Sequence, residues 1–140
     1  MAKPENRSQL MEYLGASQKN TVWSWCAADH DGRKVYFSIW VDTRQKRDGE
    51  RVSYLIQEPD WGVDKQTGSR SPARNDHDDK LSLVFDDGYE AYGYFIEAKD
   101  TKAHPREIES TRTSFIFQIE LDRLADGSIL GYPLRRIEIK

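Results

Sequence analysis

Four tryptophans and a set of arginines and lysines are the residues of this 140-residue chain best suited to hold a ligand. Trp23, Trp25 and Trp40 fall on what read as neighbouring strands, and Trp61 opens a long loop. Arg44, Lys46, Arg47, Arg51, Arg70 and Arg74 lie close by in sequence. Flat rings stack on exposed bases and cations contact phosphate, which is what recognition of a single strand, or of a base turned out of a duplex, requires. Trp23 and Trp25 share one strand face. The competing reading is that this face is core, because a tryptophan buries a large apolar area. Trp40 stands apart: on its own strand it opposes Val35, Phe37, Ile39 and Val41, so it is the better wall for a pocket or platform.

A second chemistry is written in Tyr94-Phe95-Ile96-Glu97-Ala98-Lys99, an apolar strand ending in E-x-K. Nucleases of the PD-(D/E)xK type use two carboxylates to hold magnesium and a lysine to assist the attacking water. Glu97 and Lys99 share a strand face, and Asp60 or Asp87 would supply the second carboxylate. Two features oppose this reading. Asp60 is separated from Glu97 by a whole expected helix, and a proline loop and a strand follow E-x-K where that fold has a helix. The simpler alternative is an exposed Glu-Lys pair, which contributes little.

Acids also cluster at Asp76, His77, Asp78 and Asp79, with Asp86 and Asp87 at the far end of the same segment. First-turn acids complement a helix dipole without any metal, whereas Asp86 and Asp87 sit at the unfavourable end and are not explained that way. His30, His77 and His104 occupy three separate polar segments, none with a second histidine or cysteine at ligand spacing, so no metal or other cofactor is expected outside the magnesium of the nuclease alternative. The motifs with the best-defined mechanics, the P-loop, G-x-G-x-x-G, G-x-S-x-G and H-E-x-x-H, are absent.

The elements that must position these residues follow from periodicity and breakers. Leu10, Met11 and Leu14 recur at helical spacing and stop at Gly15, giving a helix over 5–14. TVWSWCAA, the turn DHDGR, KVYFSIWVD and then VSYLIQE read as a three-stranded meander over 21–58. The stretch from Pro59 to Ala73 carries prolines and glycines without periodicity and reads as a long loop. A helix over 75–87 is expected, capped by Asn75 or Asp76, with Leu81, Val84 and Phe85 as its buried stripe. Strands follow at 91–99, 112–122 and 128–139, with a loop from Asp100 to Glu109 and Pro133 marking an edge or bulge. The order helix, three strands, helix, three strands predicts an α+β domain: a mainly antiparallel six-stranded sheet or small open barrel with two helices.

Composition sets the outer limits. The length suits a single domain over 1–140, and 37% hydrophobic with 32% charged residues is globular. No apolar run approaches the roughly 18 residues of a membrane span, and the polar start MAKPENRSQ has no signal-peptide core, so the cytoplasm is the expected location and no membrane is an expected partner. Cys26 lies alone in an apolar stretch and reads as a buried small hydrophobe. A net charge of −3 excludes a surface that is basic throughout, but not a local basic patch.

The segments WSWCAAD, FSIWVD, R-N-D-H-x-x-K-L and YFIEAKDTKAHPREI together resemble a poorly characterised bacterial domain. That domain is associated with HNH-type restriction endonucleases and with stand-alone proteins of mobile or defence islands. The likeness spans most of 21–122 and implies a small sheet-based module similar to the PUA-like folds that read modified bases. It implies a nucleic-acid-binding role for Trp23, Trp25, Trp40, Arg74, His77, Lys99 and Arg106. The chain carries no HNH motif, so the nuclease activity of the fused proteins does not transfer. The leading expectation is thus a DNA-binding accessory module that reads modified or flipped bases in a restriction or defence context. The alternatives are the magnesium-dependent nuclease and a non-catalytic protein-interaction module of the immunity or anti-defence kind.

Overall fold

The computed structural model describes residues 3–20, 24–46, 51–103 and 106–139. Helix α1 (Arg7–Leu14) starts at Asn6, whose side-chain oxygen accepts from the Gln9 N–H at 2.9 Å, and ends at Gly15 with φ 69°, a left-handed conformation that glycine adopts without strain. The hairpin of β1 (Cys26–Asp29) and β2 (Lys34–Trp40) follows. The chain continues through β3 (Tyr54–Gln57), α2 (Pro72–Phe85), β4 (Glu90–Ala98), β5 (Ile108–Thr111), β6 (Phe115–Arg123) and β7 (Ile129–Glu138).

The strands lie in the order β1-β2-β4-β6-β7-β3, with β5 paired to the C-terminal end of β4. Every pairing is antiparallel except β2 with β4, which run parallel from Lys34 opposite Glu90 to Trp40 opposite Ile96. A parallel pair needs a long crossover, and here it contains both β3 and α2. β3, last in the order, returns into contact with β2, so the mainly antiparallel sheet curls into the open barrel expected of this α+β pattern. Among the described residues no helix is long and apolar enough to cross a membrane.

The details depart from the sequence reading where tertiary pairing overrides local pattern. The meander expected over 21–58 does not form, because β3 pairs with β7 at the opposite end of the sheet. Gly131 stands opposite Tyr54, and a Cβ there would come within 2.9 Å of Ile56 Cδ1, so the bare backbone is what lets β3 seat on β7. A seventh strand, β5, occupies part of the stretch read as a loop, held by the edge that β4 presents beyond its pairing with β6. Helix α2 begins at Pro72, with Ser71 Oγ accepting from the Arg74 N–H at 3.1 Å, so neither Asn75 nor Asp76 is its cap. Proline suits the first helical position because its missing N–H would be unpaired there anyway. This earlier start turns the first half of α2 inward with Arg74, Asp76 and His77 buried; Leu81 is buried as expected, while Val84 and Phe85 are only partly covered.

Both faces of the central strands are covered. Val35, Phe37 and Ile39 of β2 face the barrel interior with Phe95, Phe117 and Ile129. On the other face Tyr36, Tyr92, Tyr94 and Ile96 pack under Leu10 and Met11 of α1. Gly93 sits between the interior residues: a Cβ there would overlap Ile39 Cδ1 and lie 3.1 Å from the Phe117 ring. Gly93→Ala is therefore expected to destabilise the fold by about 1–3 kcal/mol, as overpacking does. Urea unfolding should show a lower midpoint at unchanged m, and an unchanged midpoint would mean that this contact is slack.

Candidate functional site

Where β1 stops pairing, the last residues of β2 are left facing β3 and the start of α2. A recess of about 330 Å³ opens there, walled by Trp25, Trp40 and Trp61, with Gln57, His77 and Arg106 also lining it. Trp25 precedes β1, and its carbonyl accepts from both the Ser38 N–H (3.0 Å) and Ser38 Oγ (2.6 Å). This lock sets the Trp25 and Trp40 ring centroids 5.7 Å apart with the planes tilted by 49°. β2 ends in a single 3₁₀ turn, Val41–Thr43, where Thr43 Oγ1 donates to the Trp40 carbonyl at 2.7 Å.

Arg106 precedes β5 and lies over Trp40, 5.2 Å from the ring centroid. Its guanidinium grips both Asp42 oxygens at 2.8 Å and donates to the Thr101 carbonyl at 2.8 Å. The fork geometry of arginine allows these bonds in one plane, so the group forms a rigid, charge-balanced wall.

Trp61 is held from below. Arg74, whose side chain is 7% exposed, donates through one terminal nitrogen to the carbonyls of Pro59 (3.0 Å) and Trp61 (2.7 Å), and through Nε to Asp78 Oδ1 (3.0 Å). Gly62 (φ 71°) packs against Arg74, where a Cβ would come within 2.7 Å of Arg74 Cβ, and its carbonyl accepts from the Ser71 N–H at 2.8 Å. The loop that carries Trp61 is thereby fastened to the first turn of α2.

His77 forms the floor, edge-on to Trp61 (centroids 5.3 Å apart) and to Phe37 (5.4 Å). Gln57 Nε2 lies 3.1 Å from His77 Nδ1 and 3.1 Å from Asp78 Oδ1, and Asp78 Oδ2 accepts from Arg70 at 2.9 Å. Burial pulls the His77 pKa down from 6.5 to about 4, against the opposing pull of Asp78 and then Asp76, so the ring is neutral at physiological pH. Beneath it, Asp76 is fully buried with Lys80 Nζ at 2.7 Å, and the Cys26 thiol donates to Asp76 Oδ2 at 3.7 Å. Burial, reinforced by the Asp76 charge, pushes the Cys26 thiol up, which leaves it an unreactive buried group, as its apolar setting suggested.

Of the residues singled out in the sequence, Trp25, Trp40, Trp61, His77 and Arg106 come together in this recess, and Arg74 supports it from within the fold without facing it. Trp23, Arg47 and His104 lie outside the described residues. Lys99 is exposed, 3.4 Å from Glu107, and does not line the recess. The other basic residues differ in setting: Arg51 pairs with Glu120, Arg70 with Asp78, and Arg44 and Lys46 are exposed beside Thr43.

The nuclease set is dispersed. Glu97 is held by Arg112 and Ser110, and the Arg112 hydrogen bond is the main reason its pKa lies below the usual carboxylate range. Asp60 and Asp87 are exposed on either side of α2, and among the described residues no group of three potential ligands gathers to hold a metal ion. Asp76 and Asp78 act as anchors for Lys80, Arg74 and Arg70 rather than as dipole caps, because the helix begins a turn before them.

Gln57 is the polar floor residue that the sequence did not single out, and it carries no signal, being one polar residue at the end of an apolar strand.

Removing the arginine tether leaves Asp78 without its buried partner and frees the 59–61 carbonyls. Arg74→Ala should cost about 3 kcal/mol of stability and red-shift the indole emission as Trp61 loosens; an unshifted spectrum with full stability would contradict the tethering role. The neutral His77 has a pH signature. Between its ordinary 6.5 and the folded value of about 4 the unfolded chain binds the extra proton, so the stability associated with the neutral ring is complete above pH 6.5 and is lost as pH falls through 4. The stability difference between the native protein and His77→Gln should shrink by about 3 kcal/mol across that window. Parallel pH curves for the two proteins would show that the ring is not buried in its neutral form.

Comparison with protein-family models, with curated proteins and with solved structures finds no match. What the recess can bind is therefore read from its own residues.

Proposed function

We propose that this chain is a DNA-binding accessory module that receives one unstacked or flipped base, modified or not, among Trp25, Trp40 and Trp61. The setting the sequence resemblance suggests for it is restriction or defence. The carrying observation is the convergence of three indoles and a fixed guanidinium on one recess of about 330 Å³. That volume is at the small end of ligand pockets, roughly 300–1,000 Å³, and suits a single ring system rather than a peptide or an extended cofactor. Every base has a π face, and stacking on an indole is sequence-tolerant until polar groups at the pocket floor select among rings. Exposed cations beside the recess, Arg44 and Lys46, are suited to meet the backbone, while the net charge of −3 argues against a wide phosphate-binding track.

Titration with single-stranded, double-stranded and base-modified oligonucleotides at several salt concentrations tests the reading. With two phosphate contacts, the log–log salt dependence for a single strand should be shallow, about −1.4. Trp40→Ala should lower affinity by about 1–3 kcal/mol. Absence of binding at low salt would end the proposal. Steeply salt-dependent binding that Trp40→Ala leaves unchanged would instead mark a diffuse electrostatic surface.

A further inference from the structure

The floor of the recess has a defined hydrogen-bonding polarity, set from outside it. Asp78 Oδ1 is a carboxylate oxygen that accepts from Arg74 Nε at 3.0 Å, so the Gln57 atom 3.1 Å away from it must be the amide NH₂ and not the amide oxygen. The same NH₂ reaches His77 Nδ1 at 3.1 Å, which makes Nδ1 an acceptor. In a neutral imidazole whose Nδ1 accepts, the proton is on Nε2.

Gln57 and His77 are 5% and 3% exposed and both line the recess, yet Gln57 Oε1 and His77 Nε2 have no hydrogen-bond partner among the described residues. The residues are buried but these two atoms are not sealed off, so one acceptor and one donor are left for whatever enters.

We infer that the recess selects a neutral planar heterocycle bearing both an acceptor and a donor on its rim, a lactam or amidine edge, with the acceptor receiving His77 Nε2–H and the donor giving to Gln57 Oε1. This rests on the base-binding reading and narrows it from stacking to edge recognition. A polar group that a ligand covers and leaves unpaired costs more than an ordinary hydrogen bond contributes, so rings without this edge are rejected and not merely bound less well. The other ligand commonly held by a tryptophan cage, a methylated ammonium ion, would leave both floor groups unmet and would meet the fixed positive charge of Arg106 on the wall.

Two small probes separate edge recognition from stacking on the unaltered full chain. In 1-methylthymine the methyl stands where the sugar would attach and the N3–H donor remains; in 1,3-dimethylthymine the donor is replaced by a methyl while the ring face and both carbonyls are kept. Tryptophan fluorescence quenching is expected to show 1-methylthymine binding at least about tenfold more tightly, the effect of one unmet buried hydrogen bond. His77→Leu should weaken 1-methylthymine by a similar factor. His77→Gln, whose amide nitrogen reaches about as far as Nε2, should restore most of the loss.

Equal affinity for the two probes would overturn edge recognition while leaving base stacking in place, and so would equal losses in His77→Leu and His77→Gln. If neither probe nor any oligonucleotide binds, the base-binding reading falls and this inference with it. Tetramethylammonium binding in place of the thymines would overturn both in favour of a cation cage.

Discussion

The Asp78 carboxylate is the point at which the site's separate pieces are tied to one another. It receives Arg74 and Gln57 on one oxygen and Arg70 on the other, and through them it reaches the Trp61 loop, the end of β3 and the imidazole of His77. The loop leaves β3 directly and His77 neighbours Asp78 on α2, so the carboxylate fixes the helix against the strand end and its loop, together with the Gly62–Ser71 hydrogen bond. With the Asp78 side chain 27% exposed and the Arg74 side chain 7% exposed, the pair retains little solvation. Such pairs are a weak source of net stability, and the geometric uniqueness they impose is the more useful contribution here.

The parallel pairing of β2 with β4 explains why the recess lies where it does. A parallel neighbour forces the chain to leave the sheet, and the excursion carries β3 to the far edge and α2 across the gap between the two ends of the curled sheet. β1 is only four residues long, so the last part of β2 extends past it and meets the returning chain. Aromatic side chains fill the mouth of this junction while polar side chains from α2 and β3 form its floor. A closed barrel with matched strand lengths would have no such opening.

The same excursion accounts for the polar interior of α2. Arg74, Asp76 and His77 are buried together, each with a partner: Asp78 and loop carbonyls for Arg74, Lys80 for Asp76, Gln57 for His77. A helix that packed through leucines alone would be anchored as firmly but would present no hydrogen-bonding groups to the recess. The mixed face therefore has consequences for both the fold and the floor, and the neutral state of His77 follows from its burial rather than from any one neighbour.

Both helices, every strand but β5, the α+β class and the odd position of Trp40 were legible in the sequence, because apolar alternation, a glycine stop and turn residues act over a few neighbours. Trp40, Lys99 and Arg106 stood together in the sequence only through the resemblance; Arg106 lies over Trp40, whereas Lys99 is a surface residue paired with Glu107. Which edge β3 joins, that Ser71 rather than Asn75 or Asp76 caps α2, and that Gln57 and Trp61 meet His77 were decided by tertiary structure. The physical reason is range. Periodicity and capping are local, whereas the pairing of β3 with β7 depends on space above Gly131, and the pocket floor depends on a carboxylate twenty-one residues from the glutamine it orients.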